Sequence, residues 1–176
     1  MMKFVLLHIC CGICSSWAIQ KLKDDGFQVT GFFYNPNIEP ENEYLKRLEV
    51  AGKVVDLLKI RFIEGSYDSE KWAESVKGFE DEPEGGKRCT LCFKMRLEQT
   101  FIKAKEIGAD HFATTLSISP HKNTDVINQI GRTIGGECFL GYDFKQQDGF
   151  KKANSFSKEQ KLYRQNYCGC LFSIRK

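Results

Sequence analysis

Along the chain, short apolar runs alternate with stretches of helical periodicity. Residues 4–9 (FVLLHI) form one continuous apolar run, the pattern of a parallel strand covered by helices on both faces. Residues 27–34, rich in β-branched and aromatic side chains, and residues 61–64 and 110–116 read as three further strands. Helices are expected between them. Residues 15–23 carry Ser15 and Ser16 as caps and Trp17, Ile19 and Leu22 on an apolar face. Residues 41–58 place Leu45, Leu48, Val54, Val55 and Leu58 near helical spacing. A weak helix is expected at 72–76, a strong one at 92–106 stopped by Gly108, and another at 124–134 ended by Gly135-Gly136. Pro36 and Pro40 make 35–40 a loop, and Pro83, Gly85 and Gly86 make 80–87 an exposed one.

This order predicts right-handed βαβ units and an α/β fold, a parallel sheet between two helical layers. One domain is expected over 1–176, its basic end, 145–176, irregular. In such sheets ligands bind at the carboxyl ends of the strands, near the switch in strand order. Cys10-Cys11, Asn35 and Ser117 each follow an expected strand end, which puts them on one edge.

Composition narrows the class. The 176 residues are 41% apolar and 28% charged, ordinary for a globular protein. No apolar run approaches the roughly 20 residues that cross a bilayer. The short start, Met1 to Leu7, runs straight into a cysteine motif, so no cleaved leader and a cytoplasmic location are expected. There, eight clustered cysteines argue for metal or redox chemistry rather than disulfides. The net charge of +3 conceals an asymmetry: residues 64–84 hold eight acidic and two basic side chains, residues 145–176 eight basic and two acidic. The basic end suits a polyanion such as RNA, or compensates a metal cluster.

Seven cysteines fall into three groups: Cys10-Cys11-Gly-Ile-Cys14, Cys89-Thr-Leu-Cys92 and Cys168-Gly-Cys170. A C-x-x-C at a helix start brings two sulfurs onto one metal, where the helix dipole favours the thiolate. In Cys168-Gly-Cys170 the i, i+2 spacing directs both sulfurs to one side, and Gly169 leaves room. A structural zinc site or a cubane iron–sulfur cluster closes with four ligands, so three sulfurs are left over. The surplus favours an iron–sulfur site with a second metal, or an added redox thiol pair. Cys138 reads as a small buried hydrophobe and His8 as a core histidine, while His111 carries little signal. His121, in the loop after a strand end, is a candidate for the site.

Six segments carry a resemblance: His8-Ile-Cys-Cys-Gly-Ile-Cys-Ser15, Tyr34-Asn-Pro-Asn-Ile38, Arg88-Cys-Thr-Leu-Cys-Phe93, Thr115-Leu-Ser-Ile-Ser-Pro-His-Lys122, Tyr163-Arg-Gln165 and Tyr167-Cys-Gly-Cys170. Together they resemble the QueH family of epoxyqueuosine reductases, which act on tRNA in the last step of queuosine biosynthesis. The resemblance covers nearly the whole chain. One departure is Gly12-Ile13, where the family often has Ala-Pro.

The resemblance implies a nucleotide-hydrolase-like (adenine-nucleotide type) α/β fold without a phosphate loop, and cobalamin-independent reduction of the epoxide to an alkene. It implies a [4Fe-4S] cluster with an adjacent mononuclear iron, a tRNA carrying epoxyqueuosine, and an external electron donor. Cys11, Cys89, Cys92 and Cys170 are expected on the cluster, Cys10 and Cys168 on the extra iron, and Cys14 among the metal ligands. For the substrate, Asn35, Ser117, Ser119, His121, Lys122, Tyr163 and Arg164 are the candidates, with Tyr67 and Lys152 weaker ones. Lys151, Lys152, Lys158, Lys161 and Arg164 would meet tRNA phosphates. Two rivals remain: a nucleotide-activating or sulfur-transferring tRNA enzyme on this fold, and a non-catalytic zinc-stabilised RNA-binding module.

Overall fold

The computed structural model describes residues 2–174; Met1, Arg175 and Lys176 lie outside the described residues, the last two belonging to the expected basic segment. Four strands, β1 (Phe4–His8), β2 (Gln28–Phe33), β3 (Arg61–Glu64) and β4 (His111–Thr114), form one parallel sheet in the order β3-β2-β1-β4. Among the described residues six α-helices flank it: α1 (Gly12–Asp24), α2 (Glu41–Leu57), α3 (Ser69–Ser75), α4 (Lys87–Glu106), α5 (Thr124–Gly135) and α6 (Gly149–Glu159).

Alternation along β1 divides the core in two. Val5, Leu7 and Ile9 pack with Ile19, Leu22, Val54, Val55 and Ala153 of α1, α2 and α6. Leu6, on the other face, joins Phe93, Leu97, Phe112 and Ile127 of α4, β4 and α5. Each fully buried side chain of this size contributes about 1.5–3 kcal/mol. The strand order reverses between β1 and β4, so the carboxyl ends of those two strands mark the crevice where such folds place their chemistry.

Several local expectations change. The cap of α1 is Cys11, whose sulfur accepts the Cys14 N–H at 3.3 Å. Ser15 and Ser16 lie inside the helix and donate to the Gly12 and Ile13 carbonyls. Helix α4 begins at Lys87, earlier than the apolar pattern indicates. There Arg88 Nη1 gathers the Phe79, Glu80 and Glu82 carbonyls and closes the preceding loop onto the helix. Strand β4 stops at Thr114, and a 3₁₀ turn, Thr115–Ile118, follows.

The segment expected to be irregular contains α6. Its first residue, Gly149, touches α1 so closely that a Cβ there would lie 1.9 Å from the Phe144 carbonyl and 2.4 Å from Trp17 Nε1. Cys138, expected to be buried, is exposed in the 3₁₀ turn Gly136–Cys138.

Candidate metal centre

Cys10, Cys11 and Cys14 come together where β1 gives way to α1. Their sulfurs all lie within 4.8 Å of one another, a group able to hold a metal ion. Two features fix Cys10. Its N–H donates to Thr115 Oγ1 at 2.9 Å, and the same hydroxyl donates to the Cys10 sulfur at 3.1 Å. Thr115, at the end of β4, thus closes the crevice between β1 and β4.

Hydrogen bonds from the Cys11 and Cys14 thiols hold the Cys10 thiol well below its usual range, with Lys122 and Arg96 assisting against burial. The partners move the other way: Cys11 is pushed up to about 12, chiefly by its bond to Cys10, and Cys14 is also raised. The three thiols are thus unequal, Cys10 being the first to give up its proton. A metal cation would displace the remaining protons. Beneath it, His8 bonds Thr114 Oγ1 and the Tyr34 carbonyl. Burial and the Arg96 charge keep it neutral, with a pKa of about 3.

A second sulfur group, Cys89, Cys92, Cys168 and Cys170, lines an adjoining cavity with Trp72, Arg88 and Arg96. Cys89 and Cys92 share one face of α4 at i, i+3. The terminal pair is brought to them by a clamp on α2. Arg47 bonds Glu43 at 2.7 Å and donates to the Cys168 and Tyr167 carbonyls at 2.9 and 3.1 Å. Tyr163 donates to the same Glu43 carboxylate at 2.8 Å, and Tyr167 donates to the Glu39 carbonyl. Gly169, at φ +142°, has room for no side chain: a Cβ would lie 2.9 Å from Asn37 Nδ2. Burial pushes Cys92 up to about 11 and also raises Cys89.

The two sulfur groups are neighbours. Glu84, Arg96, His121, Lys122 and Cys168 line both cavities. Arg96 donates to Asn35 Oδ1 at 2.6 Å and lies 3.9 Å from the Cys92 sulfur. For Lys122, burial acts against its charge, but the Cys168 and Cys10 sulfurs outweigh that and raise its pKa. Two cations therefore stand between the sulfur groups.

The lining fits an anionic metal–sulfur cluster. Trp72 Nε1, Arg88 Nε and Arg96 Nε are buried donors without a partner among the described residues, and all three residues face the second cavity. Leaving such a donor unsatisfied costs about 1–3 kcal/mol, which the sulfurs of a cluster would offset.

The substrate candidates scatter. Ser119, His121 and Lys122 line the cavity of the triad. Asn35 is fully buried, bonded to the Ile9 carbonyl and to Arg96, and Ser117 is fully buried in the 3₁₀ turn. Lys152 lies over the Trp17 ring of α1 at 4.1 Å, lining neither sulfur cavity, and Arg164 bonds Asn154. Tyr163 belongs to the clamp, and Tyr67 donates to the Ile38 carbonyl.

Residues that the sequence reading passed over include Arg47, Arg96 and Thr115. A signal for the arginines existed: Glu43 and Arg47 sit in line with Val50 and Val54, and Arg96 in line with Cys89 and Cys92. Charges inside an apolar or ligand stripe mark a buried polar network.

The family model for epoxyqueuosine reductase QueH matches residues 5–176. The epoxyqueuosine reductase QueH of Thermotoga maritima is 40% identical over 176 residues, 97% of this chain and 90% of its own. That of Streptococcus pyogenes serotype M1 is 37% identical over 180 residues, covering 97% and 70%.

Among solved structures, a predicted subunit of tRNA methyltransferase from Methanocaldococcus jannaschii superposes with a TM-score of 0.61 at 16% identity, over 89% of this chain and 75% of that one. The U34-tRNA thiolase NcsA of Methanococcus maripaludis, solved with its [4Fe-4S] cluster, gives 0.59 at 12%, over 98% and 61%. These two likenesses speak for the fold alone, a parallel sheet flanked by helices. The family match runs through all three cysteine groups and nearly the whole length, and on that ground the chain belongs to the QueH family of epoxyqueuosine reductases.

Proposed function

We propose that this chain reduces the epoxide of epoxyqueuosine in tRNA to the alkene of queuosine. Both carbon–oxygen bonds of the epoxide break, and two electrons and two protons release the oxygen as water. The observation that carries this reading is the pair of adjoining sulfur groups at the β1/β4 crevice, one of three cysteines and one of four, in a family named for this reaction.

The grouping supports a division of ligands different from the one expected from the sequence. Cys89, Cys92, Cys168 and Cys170 would hold the [4Fe-4S] cluster, and Cys10, Cys11 and Cys14 the adjacent iron, with Cys168 facing both. When bound, such groups supply single-electron transfer and a Lewis acid for oxygen. An external donor supplies the electrons. Such an enzyme works in the cytoplasm, where tRNA is modified.

The chain's own residues have distinct tasks. Lys122, charged at the junction, holds the epoxide oxygen, and Arg96 balances the sulfur charge. The triad's cavity, about 390 Å³, admits the modified base past Phe150, Gln165 and Asn166. Exposed Lys151, Lys152 and Lys158 on α6, followed by Lys161 and Arg164, meet the tRNA phosphates. Acidic α3 and the loop before α4 lie by the other cavity and turn the polyanion toward the basic side.

Anaerobic purification with iron and acid-labile sulfide analysis, followed by incubation with epoxyqueuosine-containing tRNA and a low-potential reductant, tests the proposal. A brown protein with more iron than one cubane holds, and conversion to queuosine, is the expected result. A colourless protein with one zinc and no conversion overturns it.

A further inference from the structure

The unpartnered donors around the second cavity differ in one respect. Arg88 and Arg96 have other hydrogen bonds that account for their burial. Among the described residues the Trp72 indole N–H has no such bond, but it lies near enough to the Cys92 sulfur to act on that thiol, favouring its charged form. The ring is 1% exposed and packs with Val76, Cys92 and Cys170, against Leu91 and Met95. Phenylalanine would satisfy that packing, so the nitrogen is what the packing leaves unexplained. Helix α3, which carries Trp72, contains no cysteine.

We propose that Trp72 is a positioning residue whose indole N–H donates to the Cys92 sulfur and raises the reduction potential of the cluster held there. The inference rests on the cluster assignment above. A cluster gains negative charge on reduction, so a donor to its sulfur bonds the reduced state more strongly than the oxidised one. The buried, apolar setting leaves little water to compete for the sulfur. Trp72 would thereby bring the cluster within reach of its electron donor without touching substrate.

The test is Trp72→Phe, purified anaerobically beside the wild type and beside Val76→Ala, which loosens the same packing without removing the N–H. Iron and sulfide content establish that the cluster is retained, and an EPR-monitored redox titration reads its potential. The expected result is a negative shift in Trp72→Phe of about 59 mV, a tenfold fall in the equilibrium constant of a one-electron reduction, with Val76→Ala unshifted. A full cluster at the wild-type potential overturns the inference while leaving the proposed function intact. A wild-type chain that binds no iron overturns the function itself.

Should Trp72→Phe fail to hold iron, wild-type protein labelled with ¹⁵N-indole answers directly. Of its two tryptophans, Trp17 lies against Gly149 and α6. A ¹⁵N coupling to the reduced cluster that survives Trp17→Phe supports the bond, and its absence overturns it.

Discussion

The two sulfur groups lie side by side but are built by different means. Cys10, Cys11 and Cys14 belong to one turn of chain, where a strand ends and a helix starts; local geometry and one hydroxyl, Thr115, suffice to gather them. Cys89, Cys92, Cys168 and Cys170 come from α4 and from a terminal segment whose one regular piece among the described residues is the 3₁₀ turn Leu171–Ser173. They meet because Arg47 holds the Cys168 and Tyr167 carbonyls and Arg88 closes the loop before α4. The first group is fixed by its backbone. The second depends on buried cations, and so is the more fragile.

The sharpest way to break this contrast is Arg47→Met. It strands the buried Glu43 carboxylate and frees the terminal cysteines, so a loss of about 3–5 kcal/mol is expected, as for other buried pairs that lose one partner. Chemical denaturation measures the loss, and sulfide analysis should show the cluster depleted. A variant as stable as the wild type, with full sulfide, removes the clamp from the account.

A smaller effect should come from the triad's side. His8 has a folded pKa of about 3, below its unfolded value near 6.5, because burial and Arg96 disfavour its charge. As pH falls below 6.5 the unfolded chain takes up a proton that the folded one refuses. Stability contributed by neutral His8 is therefore complete above pH 6.5 and is lost on acidification, by about 1.4 kcal/mol per unit down to about 3. Denaturation midpoints at pH 7, 6 and 5 for wild type and His8→Asn check this. The wild type should lose more than the variant, and equal losses would remove His8 as the cause.

What was legible in the sequence follows the same contrast. The apolar run of β1, the periodicity of α2 and α5, and the spacing within each cysteine group depend on neighbours in the chain and read directly. The cap on α1 misled because a cysteine sulfur took the place that serine usually holds. Helix α6 was hidden because its lysines dominate the pattern, while its contact with α1 runs through Gly149, which has no side chain to count. At the end of β4, Ser117 drew attention that belonged to Thr115, since where a strand stops cannot be told to within two residues. Arg47 was not legible as a clamp because its partners, the carbonyls of Tyr167 and Cys168, lie at the far end of the chain and carry no side-chain signature.

The division into two metal centres is tested most directly by iron and acid-labile sulfide counts, with Mössbauer spectra, on Cys10→Ser and Cys92→Ser prepared anaerobically. Cys10→Ser should keep its sulfide and the cluster spectrum and lose about one iron, as a mononuclear neighbour requires. Cys92→Ser should lose the sulfide and the cluster spectrum together. If Cys10→Ser loses sulfide to the same extent as Cys92→Ser, the two sulfur groups serve one centre, and the account of two is wrong.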